Sequence, residues 1–389
     1  MIPYGCQKID EDDIQAVVDA LKKPLITQGD AVDLFEASIS NEVSVNNVIA
    51  CNSGTSALIL ACMALEIGVG DTVWTSPISF VASANCALLL NAKVDFVDID
   101  STTFNLCPLA FEEKLRKANT QNQLPKVLIV VHFAGLSVDM EPIAALCKQY
   151  NISIIEDASH ALGGSYHGYK VGSCQFSDLT VFSFPPVKHI TTGEGGAVCC
   201  KSPLLAQKLR KMRSHGITRE SSEFLSGSSS HPLWYYEQHS LGYNFRLPDL
   251  LAALGSSQIR HLQKWLSKRS ALAKNYHDTL PSNVKFQFIP ENVIHAWHLF
   301  VIQLPEALTG QRDVYFEKLR DSGIGVNLHY IPIYLQPFYQ KLGFKQGYCM
   351  NAESYFAKTL TLPLHQQLSD SQQMFVVEKI AQLVNDEAF

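Results

Sequence analysis

The chain has 389 residues, two to three times a usual domain, and is 47% hydrophobic and 17% charged with 22 Gly and 17 Pro. This predicts one large and one smaller unit and excludes disorder or collagen-like structure. Its 31 basic and 37 acidic side chains give a formal charge of -6 without long like-charge runs, so a nucleic-acid binder's electrostatic footprint is missing. The start, Met1 to Cys6, has no basic flank and no apolar h-region, and no stretch approaches the roughly 18 uninterrupted apolar residues of a membrane span. A cytoplasmic, untargeted product is expected.

From about residue 45 to 200, short Val- and Ile-rich runs alternate with helical patterns. The predicted strands are Asn47–Cys51, Asp71–Thr75, Val94–Asp98, Val127–His132, Ile152–Glu156, Leu179–Ser183 and Gly196–Cys200. Helical periodicity is clearest over Ser56–Leu65 and Met140–Tyr150. Such alternation predicts a largely parallel, buried sheet with helices on both faces. A helix is expected from Ser202 to Ser214, then a polar loop or extended arm from Ile217 to Pro232 that contains the Ser226–Ser230 run. A long helix, Leu247–Leu280, leads to strands Val284–Ile289, Trp297–Leu304 and Gly325–Tyr330 and helices Asp313–Ser322 and Ser369–Asp386. The expected division is a large domain over 1–250, with a dimer arm at 215–246, and a small α+β domain over 251–389. The ten cysteines are scattered and none forms a Cys-x-x-Cys pair; they read as reduced core residues, with no disulfide frame and no metal site.

Four segments at strand ends carry candidate chemistry. Asn52–Leu58 runs from a strand through a small polar turn into a helix, where orphan amides and two hydroxyls make a phosphate cradle or an ordinary N-cap. Ile154–Gly163 ends a buried strand on Glu156 and Asp157, and a buried charge needs a partner. An acidic side chain facing a pyridinium nitrogen is one use of it, and a helix N-cap is another. Phe182–Gly196 places one lysine, Lys188, in a Pro-braced loop before a glycine-rich turn; desolvated, that amine can form a Schiff base, and solvated it is only a loop lysine. Gly242–Pro248 leads into the long helix, and Phe80, at a strand-to-helix junction, is a core aromatic or a stacking platform.

Taken together, Asn52–Leu58, Glu156–His160, Ser183 with Lys188 and Thr192–Gly196, and Gly242–Leu247 resemble the DegT-type sugar aminotransferases over nearly the whole chain. These are pyridoxal-phosphate enzymes of fold type I that act on nucleotide-linked keto sugars. The resemblance implies an α/β fold with a mostly parallel seven-stranded sheet and a smaller C-terminal α+β domain. It implies that the cofactor is pyridoxal 5'-phosphate, with pyridoxamine phosphate between half-reactions, and that Lys188 is the Schiff-base lysine and proton shuttle. By the same resemblance Asp157 pairs with the pyridine nitrogen, His160 sits near the phenolic oxygen and Phe80 stacks on the ring. Gly54, Thr55 and Ser183 hold the phosphate, which Asn244 reaches from the neighbouring subunit.

The Val187–Gly196 and Gly325–Tyr339 segments look most like the pseudaminic acid branch of that family. This implies L-glutamate and a UDP-linked 4-keto-6-deoxy-N-acetylhexosamine as reactants, and a homodimer with shared active sites. Tyr4, Leu25, Ile26, Thr27, Gln28, Gly54, Ser183, Asn244, His329, Tyr330, Ile331 and Pro332 are then the residues expected at the substrate. Pro185 departs from the pattern, standing where relatives are expected to carry a histidine or another aromatic residue. Two rivals share the fold. In a dehydratase a histidine replaces the lysine, against which Lys188 speaks, although His189 is adjacent; a non-enzymatic regulator would carry a degraded site, and no such loss is visible.

Overall fold

The computed structural model describes residues 1–226 and 231–385, so most of the Ser226–Ser230 run and the end of the last predicted helix at Asp386 lie outside the described residues. All seven predicted strands form: β1 Asn47–Cys51, β2 Thr72–Thr75, β3 Lys93–Phe96, β4 Val127–Val131, β5 Ser153–Asp157, β6 Leu179–Ser183 and β7 Gly196–Cys200. They build one sheet in the order β1-β7-β6-β5-β4-β2-β3. Neighbours from β6 to β3 pair in parallel. Only β7 reverses, running antiparallel to both β1 and β6. That single reversal leaves β1 pointing the same way as β6 and β5, so their carboxyl ends open on one edge of the sheet.

Successive strand side chains alternate between the two faces. Val127 and Ile129 of β4 pack into one core, while Leu128 and Val130 pack into another. Two helices precede the sheet, α1 Glu11–Leu21 and α2 Ala31–Val43. The crossovers carry α3 Gly54–Ala64, α4 Ala82–Leu88, α5 Pro108–Thr120 and α6 Met140–Tyr150, and α7 Pro203–Arg213 follows β7. Of these, α3 is apolar nearly all round, with nine of its eleven residues buried, as expected for a helix held against the sheet centre. Ser53 caps it, accepting a hydrogen bond from the Ser56 N–H at 3.1 Å.

The predicted long helix is two. Pro248 precedes α8 Asp249–Gln258, and one 3₁₀ turn, Ile259–His261, separates it from α9 Leu262–Thr279. The break lets α8 pack Ala252 into the core beside α2, while the far half of α9 places Leu272, Ala273 and Tyr276 in a separate, C-terminal core. Leu262 and Trp265 still pack into the core beside α2, so α9 contributes side chains to both cores.

The C-terminal core covers an antiparallel sheet of β8 Lys285–Phe286, β9 Phe300–Gln303 and β10 Thr359–Leu362. Around it lie α10 Arg312–Asp321, α11 Pro337–Lys341, α12 Met350–Lys358 and α13 Asp370–Asn385. Gly325–Tyr330, expected as its third strand, makes only an isolated bridge from Asn327 to Thr361. The backbone of Gly325 is taken instead by Ile2, whose carbonyl accepts its N–H at 2.7 Å. The Thr-Leu-Thr-Leu run of β10 fills the vacant sheet position, all four residues buried.

Candidate active site

A cavity of about 610 Å³ opens at the carboxyl ends of β1, β5 and β6, closed on one side by the Asn327–Ile331 segment. The N-terminus of α3 faces it. A Cβ on Gly54 would lie 2.5 Å from Ser183 Oγ, so the Ser183 hydroxyl sits directly over the first turn. Thr55 is exposed at the same end, and both residues line the cavity. Two hydroxyls beside the unpaired amides of a helix start form an anion cradle.

Of the two carboxylates ending β5, strand alternation sends one to each side. Glu156 turns away and accepts a hydrogen bond at 2.6 Å from the His132 imidazole. Burial pushes its pKa up, but His132 with the Ser177 and Thr180 hydroxyls outweighs this and holds the carboxyl below its ordinary range. Asp157 lines the cavity and is 5% exposed. It accepts hydrogen bonds from Ser83 Oγ at 2.6 Å and from the Ser159 hydroxyl and amide at 2.6 and 3.2 Å, none of them a cation.

Lys188 enters from the loop between β6 and β7. That loop is closed by the Phe184 N–H to Gly195 and the Thr192 N–H to Phe184, and the Lys188 N–H bonds to Pro185. Burial pulls the amine down to about 8, although Asp157 pulls upward. His160 meets the Tyr330 hydroxyl through Nε2 at 3.2 Å, while its Nδ1 is buried without a partner. Burial, reinforced by Lys188, His329 and His189, keeps this imidazole neutral. His329 is held at about 3 by burial and then by Lys188, with Nδ1 against Thr361 Oγ1 at 2.9 Å. Phe80 presents its ring at the rim, 60% exposed.

Tyr4, Gly54, Thr55, Phe80, Asp157, His160, Ser183, Lys188, His329, Tyr330 and Ile331 therefore share one cavity. Six expected site residues do not line it. Leu25, Ile26, Thr27, Gln28 and Asn244 are exposed, and Pro332 is buried outside the lining. Asn244 is nevertheless adjacent to Phe245, whose carbonyl accepts the Asn52 N–H at 2.9 Å, so its segment borders the start of α3. Pro185 and Val187 line the cavity, and neither supplies an aromatic ring there. The residues missed in sequence are Ser79, Ser159, Glu194, Asn327 and Gln336 in the lining and His298 beside Lys188. Ser159 lies inside the Glu156–His160 segment, Glu194 inside Thr192–Gly196, and Asn327 and Gln336 inside Gly325–Tyr339, so four of them sat in segments already singled out.

One group of carboxylates and imidazole among the described residues brings its ligand atoms within 4.8 Å, Asp10, Asp13 and His261. None of the three lines the cavity. Among the described residues no helix is long and apolar enough to cross a membrane.

Residues 7–381 match the profile of the DegT/DnrJ/EryC1/StrS aminotransferase family. The chain is 39% identical over 382 residues to a Campylobacter jejuni UDP-4-amino-4,6-dideoxy-N-acetyl-beta-L-altrosamine transaminase, covering 98% of this chain and 96% of that protein. Its structure is similar to Helicobacter pylori PseC, an aminotransferase involved in the biosynthesis of pseudoaminic acid, with TM-score 0.89, 30% identity and 99% of both chains covered. It is equally similar, at TM-score 0.89 and 27% identity over 99% of this chain and 100% of the other, to a putative sugar aminotransferase of Streptococcus pneumoniae in its PMP form.

Proposed function

The chain belongs to the DegT/DnrJ/EryC1/StrS aminotransferase family, pyridoxal-phosphate enzymes of fold type I, and from that premise we propose which amino transfer it performs. The donor is L-glutamate, and the acceptor is the 4-keto carbon of a UDP-linked 4-keto-6-deoxy-N-acetylhexosamine in pseudaminic acid biosynthesis. The observation that carries this is the convergence of Lys188, Asp157 and the start of α3 on one cavity. The similarity to the Campylobacter jejuni transaminase supports the choice of sugar.

The residues present fit the cofactor. A buried carboxylate without a cation at Asp157, a buried unpartnered nitrogen at His160 and the α3 anion cradle are three polar features that a phosphorylated pyridine satisfies together. When bound, pyridoxal phosphate supplies the electron sink for the charge left as a proton leaves carbon. The amides of Gly54 and Thr55 and the Ser183 hydroxyl would hold the phosphate. Asp157 keeps a proton on the ring nitrogen by its charge, and Ser83 and Ser159 fix that carboxylate's orientation. His160, braced by Tyr330, would offer Nδ1 to the ring oxygen, and Phe80 would cover a ring face. Lys188, whose amine burial brings to about 8, would be the base that accepts a proton from the donor carbon and the acid that returns it.

Tyr4, His329, Tyr330 and Ile331 face the sugar, joined by Asn327 and Gln336 as polar contacts. The Leu25–Gln28 and Asn244 segments reach the cavity of a second subunit. Their own chain leaves them exposed, and the Leu233–Tyr243 stretch before Asn244 exposes the apolar side chains Leu233, Trp234, Leu241 and Tyr243, which suits a dimer interface.

The deciding experiment incubates the purified protein with L-glutamate and a panel of UDP-linked 4-keto sugars and identifies the product by NMR. Amine at carbon 4 of the N-acetylated 6-deoxy sugar is expected. Transfer only to another nucleotide-linked keto sugar would overturn the substrate, and no transfer to any would overturn the reaction.

A further inference from the structure

His298 lies 110 residues from Lys188 in sequence, yet its Nε2 is 3.4 Å from Lys188 Nζ. Its backbone is clamped on both sides. The His298 N–H bonds to the Ala134 carbonyl at 2.9 Å, and Arg269 donates to the His298 and Trp297 carbonyls at 3.2 and 3.1 Å. The Lys188 loop is tied to the same place, because His189 Nε2 lies 2.8 Å from the Ala296 carbonyl. The contact is thus built by two anchored segments.

The ring's other nitrogen decides the tautomer. His298 Nδ1 is buried and has no hydrogen-bond partner. A buried N–H without an acceptor costs the full desolvation of a donor, and an unfilled lone pair is the better tolerated orphan. The proton therefore sits on Nε2, pointing at Lys188. An ammonium cannot accept it, whereas a neutral amine can.

We propose that His298 is a positioning residue whose Nε2–H donates to the neutral amine of Lys188, favouring the unprotonated form and fixing its direction in the cavity. The groups facing this pair are Asp157 and His160 beyond β5, His189 on the lysine's own loop, His329 and Tyr330 on the cavity wall, and Arg269 of α9. Of these only Asp157 favours the ammonium, and His298, 4.4 Å from the His160 ring centroid, stands among imidazoles that burial keeps neutral. The inference rests on the reading of Lys188 given above and adds the group that sets its protonation state.

The test uses the full-length chain freed of cofactor. Competitive acetylation with trace acetic anhydride, followed at Lys188 by mass spectrometry across pH, gives the amine's midpoint. His298→Phe removes the donor and should raise that midpoint by roughly one pH unit, the size of a hydrogen bond lost to one protonation state. His298→Gln keeps an N–H donor and should restore the wild-type midpoint; His298→Met replaces the Phe variant if the latter does not fold. A midpoint that falls or stays in the Phe or Met variant, or rises equally in His298→Gln, overturns the proposal. Because the readout needs no turnover, a failed shift leaves the amino-transfer reading standing, and inactivity on every keto sugar with an intact shift counts against that reading alone.

Discussion

Replacing Gly196 by Ala should cripple cofactor binding while leaving the lysine and the carboxylate untouched. Gly196 opens β7, and a Cβ there would lie 2.4 Å from the Ser53 carbonyl oxygen, 2.5 Å from its carbon and 2.7 Å from the Gly54 nitrogen. All three are backbone atoms at the start of α3, so no side chain can swing aside. Ordinary van der Waals contact requires a retreat of roughly an ångström, and the part that must move is the anion cradle. Overpacking of this kind costs about 1–3 kcal/mol in stability. Misaligning one or two charge-assisted contacts to the phosphate, at about 1.5–3 kcal/mol each, weakens binding by about tenfold to about ten-thousandfold. The assay titrates the cofactor-free variant with pyridoxal phosphate by absorbance, alongside urea unfolding. Gly68→Ala, where nothing lies within 4 Å of the added Cβ, is the control and should match wild type. A folded Gly196→Ala protein with cofactor affinity within about twofold of wild type would show that the α3 start does not hold the phosphate.

Lys188→Ala should abolish turnover and the visible band of the covalently held cofactor; wild-type activity without added amines would refute its role. Asp157→Asn should slow the half-reaction with glutamate by several orders of magnitude and weaken cofactor binding far less; the reverse pattern, read by stopped-flow and titration, would make the carboxylate structural. Since burial holds the Lys188 amine at about 8, its capture of added pyridoxal phosphate should accelerate as pH rises through about 8 and then level, because the neutral amine is the reacting form. A rate still climbing past pH ~10 would mark a solvated lysine. Mixing Lys188→Ala with Asn244→Ala protein should recover part of the activity that each lacks, one site of the mixed dimer carrying neither lesion; silence after verified subunit exchange would return Asn244 to its own chain.

The sequence by itself determined the large domain. Parallel strands buried on both faces appear as nearly unbroken apolar runs such as Val127–Val131, and the polar turn before a helix marks where each run ends. For that reason the seven strands and the segments holding Gly54, Asp157, Ser183 and Lys188 were all legible. The C-terminal unit was less so. Thr359–Leu362 alternates Thr and Leu, yet both kinds of side chain are buried, so the alternation marks no exposed face. Gly325–Tyr330 has strand-like composition but is claimed by Ile2 from the other end of the chain, a pairing no local pattern encodes.

Only the tertiary structure decided which groups meet. Alternation along β5 says that Glu156 and Asp157 face opposite ways, but the helices packed on each side determine which one sees the cavity. His298 reads in sequence as one more histidine beside Trp297, and it reaches Lys188 because Arg269 and Ala134 clamp its backbone from distant elements. The break between α8 and α9 has the same origin, since one helix joins two cores. Local periodicity reports a residue's own burial pattern, whereas a site is assembled from contacts between residues far apart in the chain, and those are fixed only when the cores close.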